Sequence, residues 1–563
     1  MCGIAGVLDF EKTTKSENLG RILRNMLDSI RHRGPDDRGY EFIQGENGQN
    51  LHLGHQRFSI IDLSPGGHQP MSNDDKSIWL STNSEIYNYR ELREELSENF
   101  KFQSRSDTEV LLKSYENWGL DCLNKLRGMF AFAIWDSKLK SLILARDRLG
   151  KKPLYFLSLK NKFLFASEIR ALLASGLSNS QINTTGLYHY LSFGHLKSPN
   201  TIIEDIQELQ PGHYLTIGLD AKIEIKPYWE PFKFINEPKE QPSPLSSINE
   251  LLENSVKSRL ESDVPIGAFL SGGIDSSAIV SHMSNVSSKP ITTLSIGFKE
   301  KEFDETEYSK EISRLYKTNH NSIILEDSQL LKTLPAAIDA MDQPTVNGIN
   351  TYVISAAAQK IGLKVVLSGL GGDELFGGYP SFSMLPQLKK KKRLISLFPK
   401  VFTKFISKIN KQILPFDKSD KIEHWMEGKL SGAYEYFLIR ALFCQDQVYD
   451  LILNQEITKR EIKKNFESTS NMLNKLETKG DFTLVSYFET VHYLQNMLLR
   501  DTDMMSMSFP LEVRVPFMDH NLVEFMFSLP EKYKKITATP KPLLVESLKT
   551  FLPNSLVFRK KMG

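Results

Sequence analysis

The hydrophobic pattern changes once along the chain and divides it into two halves. In the first half, short apolar or alternating runs are separated by clusters of Gly, Asn, Asp and Lys, as in LHLGHQRFSIID, SIWLSTN, GMFAFAIWD, SLILARD and KFLFASE. Such runs predict strands. Helical spacing interrupts them over 17–31 and 105–118, and Ser106 is a candidate N-cap. We therefore predict an α+β domain with mostly antiparallel strands.

In the second half, apolar runs end directly before glycines or before a helix. The segments PIGAFLSGGIDSSAIVSHMS, ITTLSIGFKE and KVVLSGLGGDELFGGY show this order. A strand, a glycine-rich turn and a helix in succession are typical of a parallel sheet with crossover helices. From about residue 385 onward the spacing is helical. The pattern assigns no role to residues 385–480.

Five prolines among charged residues mark the junction, in PYWEPFKFINEPKEQPSP. Proline fixes φ and removes an N–H donor, so this stretch is a poor element interior and a good linker. We predict a first domain over 2–226, a linker over 227–244 and a second domain over 245–563.

Composition narrows the class of protein. The 563 residues contain 70 Lys and Arg against 68 Asp and Glu, and this balance argues against general nucleic-acid binding. Three cysteines are too few for a disulfide framework and suggest a reducing compartment. The chain has no signal-peptide pattern and no apolar run of about 18 residues. We expect a cytoplasmic, multi-domain protein without membrane insertion.

Cys2 is the first candidate catalytic residue. Removal of Met1 would make it the N-terminus, which places a thiol and an α-amine on one residue. A thiolate is a nucleophile, and an α-amine with a pKa of ~7.7–8.0 can act as its base near neutral pH. A chance cysteine at this position is the alternative.

A series of motifs follows Cys2: RHRGPDDRGYE, GHQRFSIIDLSPGGHQP, NSEIYN, SDTEV, RGMFAFAIWD, ARDRLGKKPLY and FASEIRALL. Together with LQPGHYL at 209–215 they resemble the glutaminase domain of class II glutamine amidotransferases. The resemblance covers residues 2–230. It implies the αββα sandwich of the N-terminal-nucleophile hydrolases.

The resemblance also implies a glutamine site. Cys2 would attack the side-chain amide of glutamine. Asn83 and Ser84 would form the oxyanion hole, where one donor is worth about 10²–10³ in rate. Arg57 would bind the α-carboxylate and Asp107 the α-amine. The full glutamine-binding set is Arg57, Ile60, Ile61, Asn83, Ser84, Glu85 and Asp107.

Ser84 departs from the family, which usually has Asn-Gly-Glu where this chain has Asn-Ser-Glu at 83–85. The second oxyanion donor of the family is the backbone N–H of that glycine, and serine also has one. If the position needs a positive φ, serine would displace the hole. The sequence therefore leaves glutaminase activity open.

The second candidate site is SGGIDSS, which follows the apolar run IGAFL. Glycines and serines between a strand and a helix present backbone N–H groups that suit phosphate or pyrophosphate. The loop is not a Walker A motif, and G-x-G-x-x-G is absent from the chain. An ordinary turn that caps a helix is the alternative interpretation.

This loop resembles the pyrophosphate loop of ATP pyrophosphatases. The acidic loop SGLGGDELFGGY at 368–379 fits, because Mg²⁺ bound to phosphates needs carboxylates such as Asp275 and Asp373. Both loops follow predicted parallel strands, where ligands of open α/β sheets gather. The implied contacts of ATP and pyrophosphate are Leu270, Ser271, Gly272, Gly273, Asp275, Ser276, Ser277, Ile296, Ser368 and Gly369.

A glutaminase domain followed by such an ATP-binding domain resembles the glutamine-hydrolysing asparagine synthetases. The resemblance implies that ammonia released from glutamine attacks an acyl-adenylate made from ATP, with Mg²⁺, and from aspartate or another carboxylate. It implies a tunnel between the two sites and allows a homodimer.

Two departures leave the acceptor open. The family commonly has an acid near the incoming ammonia where this chain has Leu370, so that role is absent or falls to another group such as Glu374. MDQPTVNGINTY at 341–352 also differs from the usual form. The alternatives are an amide- or lactam-forming ligase for another carboxylate, and a degenerate protein that binds glutamine or nucleotide without synthesis.

The C-terminal motifs complete the resemblance. In LPNSLVFRKKMG it aligns Lys561 with a catalytic lysine that stabilises departing pyrophosphate. Family members usually continue further, so we expect a short or atypical C-terminus. MSMSFPLEVRVPFMD matches a helical-domain signature, in which we assign structural roles to Arg514 and Asp519.

Overall fold

A computed structural model describes residues 2–11, 16–44, 50–300, 305–395, 416–426, 433–452, 475–537, 539–549 and 551–557. Up to residue 227 the strands are β1 (Gly3–Asp9), β2 (Asp37–Gln44), β3 (Asn50–Arg57), β4 (Met71–Ser72), β5 (Ile78–Ile86), β6 (Gly128–Asp136), β7 (Ser141–Arg146), β8 (Tyr155–Ser158), β9 (Lys162–Ala166), β10 (Ile206–Glu208), β11 (His213–Gly218) and β12 (Ile223–Pro227). The α-helices of this part are α1 (Ser16–Ser29), α2 (Tyr89–Leu96), α3 (Asp107–Trp118), α4 (Cys122–Lys125), α5 (Ile169–Ala174) and α6 (Thr184–Phe193).

These strands form two six-stranded antiparallel sheets. The first has the order β10-β8-β9-β1-β3-β2 and the second β12-β11-β7-β6-β5-β4. Apolar residues of both sheets, among them Leu53, Phe165, Ala133 and Leu144, meet in the core between them. Helices α1 and α5 cover the outer face of the first sheet, and α2 and α3 cover that of the second. The layers therefore follow the αββα order that the resemblance implies.

The second half alternates strands and helices. Its strands are β13 (Ile266–Phe269), β14 (Thr292–Phe298), β15 (Asn319–Leu325), β16 (Val365–Leu367) and β17 (Glu512–Arg514). Its α-helices are α7 (Pro231–Asn236), α8 (Pro244–Ser258), α9 (Ile274–Val286), α10 (Thr306–Leu315), α11 (Asp327–Ala340), α12 (Ile349–Lys360), α13 (Gly372–Phe376), α14 (Pro380–Ile395), α15 (Phe416–Met426), α16 (Ala433–Arg440), α17 (Gln445–Leu451), α18 (Asp481–Phe488), α19 (Leu499–Met507), α20 (His520–Ser528), α21 (Pro542–Ser547) and α22 (Asn554–Val557). A π-helix over Glu489–Leu498 joins α18 to α19.

The five strands of this half form a parallel sheet in the order β15-β14-β13-β16-β17. The chain moves outward from β13 through β14 to β15 and then returns to the other side of β13 at β16. Strand order reverses between β13 and β16, and ligands of open α/β sheets bind at such a point, beyond the carboxyl ends of the strands.

Buried polar contacts join the two halves. Arg33 donates to Glu168 at 2.8 Å and to Asp503 at 2.6 Å. The backbone N–H groups of Ile169 and Arg170 donate to Asp342 at 2.7 and 2.9 Å. Charges buried at this contact are paired, as burial requires. These pairs fix the position of the sandwich relative to the second half.

Most predicted elements are confirmed. The helices expected over 17–31 and 105–118 are α1 and α3, and the hydroxyl of Ser106 accepts from Glu109 N at the start of α3. The expected antiparallel and parallel patterns and the helical C-terminal part are present, so the predicted fold class is confirmed. The region predicted as a linker over 227–244 begins where β12 ends and contains α7.

Strand β17 was not predicted. The spacing after residue 385 predicts helices, but Glu512–Arg514 forms β17 at the edge of the parallel sheet. Three residues are too few to show a period-two pattern, and their strand conformation comes from pairing with β16. No helix in the described part of the chain is long and apolar enough to cross a bilayer.

Candidate active sites

Cys2 lies directly before β1, a strand that pairs with β3 and β9 inside the first sheet. Its backbone N–H donates to Asn83 Oδ1 at 2.9 Å, and its carbonyl accepts from Arg33 Nε at 3.1 Å. The buried thiol donates to the Phe58 carbonyl oxygen at 3.9 Å. Burial raises the pKa of this thiol, and the positive N-terminus, the Phe58 backbone and Arg57 offset the rise only in part. A thiol in this environment needs a base to become a thiolate.

Asn83 is fully buried on β5 of the opposite sheet. Its Oδ1 accepts a hydrogen bond from the Cys2 N–H, whereas its Nδ2 has no hydrogen-bond partner among the described residues. A buried donor without an acceptor costs about 1–3 kcal/mol. The Asn83 amide is therefore a candidate donor for an oxygen that becomes negative beside Cys2, as an oxyanion hole requires.

Ser84 fits this strand. It is paired with Phe130 in the β5–β6 ladder, and it is not one of the described non-glycine residues with a positive φ. The strain that the Gly-to-Ser difference could cause is thus absent here.

Arg57 ends β3 and turns its guanidinium into a tight loop. Nη1 donates to the Ser64 carbonyl at 2.9 Å, and Nη2 donates to the Asp62 carbonyl. Gly67 lies against the guanidinium, because a Cβ built there would be 2.0 Å from Arg57 Nη2. The loop fixes the position of a cation that can pair with a carboxylate.

Three buried carboxylates face the same region. Asp107 begins α3, and its Oδ2 accepts from the Ile86 N–H at 3.0 Å. Burial raises the pKa of Asp107 to about 6, and the nearby Glu512 adds to the rise. Glu85 Oε1 lies 2.9 Å from Arg514 Nη2. Burial raises the pKa of Glu85 well above its usual value, and Arg514 opposes the rise.

One cavity brings these groups together. Every predicted residue of the glutamine site except Asn83 lines it, and Asn83 bonds to Cys2 beside it. The lining residues that were not predicted for this site are Phe58, Ser59, Gln69, Thr82, Ser106, Thr108 and Glu512. The string EVRVPF contains Glu512, but nothing in the string connects it to a site that begins at Cys2.

We predict that Asn83→Ala lowers glutamine hydrolysis about 10²-fold, because the variant lacks one oxyanion donor. The measurement is the rate of glutamate release at saturating glutamine. Asn73→Ala is the matched control, since Asn73 is also buried in this domain but bonds to Ser77 and Glu116. Equal losses in both variants would contradict the assignment.

The SGG loop lies where the parallel sheet reverses its strand order. The Leu270 N–H donates to the Leu294 carbonyl at 2.8 Å, after which Ser271–Gly273 turn into α9. Gly272 has a φ of +71°, and a Cβ there would be 2.7 Å from the backbone N of Ser309. This position therefore requires glycine. The loop places N–H groups at the start of a 13-residue helix, where anions bind.

The acidic loop after β16 packs against the SGG loop. A Cβ on Gly369 would be 2.7 Å from the backbone N of Ser276. Lys541 bridges the two loops, because its Nζ contacts Asp275 Oδ2 and lies 2.5 Å from Asp373 Oδ1. Burial acts to lower the pKa of Lys541, but the two carboxylates reverse the effect and raise it. Asp275 and Asp373 thus converge on one cation.

A second cavity opens beside these loops. It is lined by Phe269, Ile296, Leu325, Leu330, Asn350, Thr351, Val353, Ile354, Ser368, Leu370, Thr502 and Val513. Ile296 and Ser368 are among the residues that were expected to contact ATP. The lining residues include no charged side chain.

Comparison with known sequences bears on both cavities. The family described as a glutamine amidotransferase domain matches residues 1–229, and the family described as asparagine synthase matches residues 247–563. The glutamine-hydrolyzing asparagine synthetase 1 of Bacillus subtilis (strain 168) is 31% identical over 570 residues, which cover 100% of this chain and 86% of that protein. This chain belongs to the asparagine synthase family.

A relative with a similar degree of sequence identity to this chain is named as an amidase. The amidase chry2 of Gibberella zeae is 33% identical and covers 68% of this chain and 60% of its own length. A solved structure of an allosteric regulatory enzyme of purine biosynthesis covers 57% of this chain and 80% of its own, with 17% identity and a TM-score of 0.31. That likeness is too low for a comparison of folds.

Leu370 occupies the position at which the family resemblance leads us to expect an acid. Its side chain lines the second cavity and packs on the domain core. Glu374 does not take the place of the missing acid: it is fully buried, accepts from the Tyr379 hydroxyl at 2.9 Å and is not a lining residue of that cavity. Burial raises the pKa of Glu374 to about 8, with Asp373 contributing.

The lysine expected at the pyrophosphate, Lys561, lies outside the described residues, as does Arg559. Lys541 was not anticipated. It lies between two prolines in TPKP, a context typical of a loop, and it has a φ of +49°.

Proposed function

We propose that this protein is an ATP-dependent ligase that transfers ammonia from glutamine to a carboxylate, with aspartate as the acceptor. The products would be asparagine, glutamate, AMP and pyrophosphate. The observation that carries the proposal is the presence of two cavities in one chain. One contains a buried cysteine beside an unpartnered amide donor, and the other lies at the reversal point of a parallel sheet.

In the glutamine site, Cys2 Sγ attacks the side-chain carbonyl carbon of glutamine. Once Met1 is removed, the α-amine of Cys2 accepts the thiol proton and passes a proton to the departing nitrogen, so the C–N bond breaks and ammonia leaves. Asn83 Nδ2 donates to the oxyanion. Water then hydrolyses the thioester and releases glutamate. Arg57 and Asp107 hold the α-carboxylate and α-ammonium groups.

In the nucleotide site, an oxygen of the acceptor carboxylate attacks the α-phosphorus of ATP, and the bond to the β-phosphate breaks. The N–H groups of the SGG loop bind the phosphates at the start of α9. Lys541 is placed to neutralise charge on the departing pyrophosphate. Ammonia then attacks the acyl carbon and AMP leaves.

Asp275 and Asp373 fit a bound Mg²⁺, because two carboxylates that converge on one cation can share a divalent ion with phosphate oxygens. Mg²⁺ bound there would neutralise phosphate charge during pyrophosphate release. The described residues contain no group of three or more His, Cys, Asp or Glu side chains that would hold a metal without the nucleotide.

A second candidate function is amide formation on a carboxylate other than aspartate. Leu370 and the uncharged lining of the second cavity favour it. Aspartate carries an α-ammonium and an α-carboxylate, and burying these charges requires charged or strongly polar partners. A larger and less charged acid, such as a sugar acid or a small natural product, needs fewer of them.

The test is a panel of carboxylates incubated with the protein, ATP, Mg²⁺ and glutamine, with AMP and pyrophosphate measured and the amide identified by mass. Asparagine formed from aspartate supports the first candidate. Turnover only with another acid supports the second. Nucleotide binding without AMP for any acid would leave a non-synthesising binding protein. Reactions without glutamine, and with added ammonia in its place, are the controls.

A further inference from the structure

Strand β17 borders both cavities, although it contains only three residues. Glu512 lines the cavity that holds Cys2, and Val513 lines the nucleotide cavity. Arg514 pairs with Glu85 at 2.9 Å, while its backbone carbonyl accepts from the Ser368 N–H at 2.9 Å. Successive side chains of a strand point to opposite faces. A single strand can therefore present Glu512 and Arg514 to one site and Val513 to the other.

The position of Glu512 is well determined. Its N–H donates to the Lys364 carbonyl at 2.9 Å, and its Oε1 accepts from Arg514 Nε at 2.7 Å. Arg514 is held in turn by the carbonyls of Arg259 and Glu261, at 2.7 and 2.6 Å. Glu512 is 1% exposed. It comes from the second domain, yet it is a fixed part of the wall of the glutamine cavity.

The charges around this cavity do not balance without a ligand. Its charged lining residues are one cation, Arg57, and three carboxylates, Glu85, Asp107 and Glu512. Arg514 lies outside the lining and pairs with both Glu85 and Glu512. Two guanidinium groups thus face three carboxylates. Asp107 and Glu512 still repel each other, and Glu512 contributes to the raised pKa of Asp107, after burial. An ammonium group placed between them would remove this repulsion.

We propose that Glu512 is a glutamine-recognition residue that the synthetase domain contributes to the glutaminase site. It binds the α-ammonium group of glutamine together with Asp107. Arg514 is a positioning residue that holds Glu85 at the same cavity. The inference rests on the proposed function, because it takes glutamine as the ligand of the Cys2 cavity.

The test uses the full chain and Glu512→Gln, which removes the charge and keeps an oxygen that can accept from Arg514. We expect the KM for glutamine to rise roughly ten- to hundredfold, as for the loss of one charged hydrogen bond. The kcat of glutamine hydrolysis and the rate of ammonia-dependent pyrophosphate release should remain within about twofold. Glu512→Asp, which keeps the charge on a shorter side chain, should restore part of the affinity.

Glutaramate, which is glutamine without its α-amine, separates recognition from structural support. If Glu512 binds the ammonium group, Glu512→Gln should leave the KM for glutaramate unchanged. Equal losses for glutamine and glutaramate, or an unchanged KM for glutamine, would overturn the proposal. Glu261→Gln is the matched control, because Glu261 also joins the two domains, through Arg90, but lies outside the cavity.

A different result is expected if the proposed glutamine-dependent function itself is wrong. In that case the unmodified protein itself would release no glutamate from glutamine. Thermal unfolding of each variant, compared with the unmodified protein, shows whether a raised KM reflects loss of folding.

Discussion

Cys2→Ala is expected to reduce glutamine-dependent amide formation by more than about 10⁴-fold, because the variant has no nucleophile for the side-chain amide. Synthesis from added ammonia should remain close to that of the unmodified protein, since the nucleotide cavity is built from other elements. The measurement is amide formation with glutamine and, separately, with ammonium chloride, under the same conditions of ATP and Mg²⁺.

Cys122→Ala is the matched control for this prediction. Cys122 is also a buried thiol of the first domain, but it lies in the core under α3 rather than in the glutamine cavity. Its replacement should leave both reactions intact apart from a modest loss of stability. Glutamine use by Cys2→Ala at the rate of the unmodified protein would show that Cys2 is not the nucleophile.

Asp373→Asn and Asp275→Asn are expected to stop pyrophosphate release, with a loss of about 10³-fold or more. Each substitution removes a negative charge from the pair that converges on Lys541 and would bind Mg²⁺. Charge stabilisation by cations at a transferring phosphoryl group accounts for effects of this size. Glutamine hydrolysis should continue, because both aspartates lie outside the Cys2 cavity. The two reactions are followed as pyrophosphate and glutamate.

Asp327→Asn serves as the control, since Asp327 is an exposed carboxylate at the start of α11 in the same domain. It should retain pyrophosphate release. If AMP still formed at the original rate in Asp373→Asn and Asp275→Asn, the assignment of these carboxylates to phosphate chemistry would be wrong.

Much of the glutamine cavity could be predicted from the sequence, because its residues occur in short motifs with a fixed order. Cys2, Arg57 and Asp107 are far apart along the chain but lie in strings that resemble one family. The sandwich then brings the end of β3, the start of α3 and the residue before β1 to one cavity. Local pattern and family resemblance lead to the same interpretation here.

Lys541 and Glu512 could not be predicted in this way. Lys541 lies directly before α21 and reaches Asp275 on a distant segment, and nothing in the letters TPKP indicates a buried cation. Glu512 belongs to a strand that exists only because β16 pairs with it. Both depend on tertiary contacts between distant segments, which hydrophobic periodicity does not report.

The placement of β17 also affects the order in which a growing chain becomes active. Domains generally fold as they leave the ribosome, the N-terminal one first. The sandwich can form once β12 has emerged, but Glu85 then lacks the guanidinium of Arg514, with which it is buried in the complete chain. A buried charge without its partner is strongly destabilising. We therefore expect the glutamine cavity to mature only after Arg514 has been synthesised, so that incomplete chains consume little glutamine.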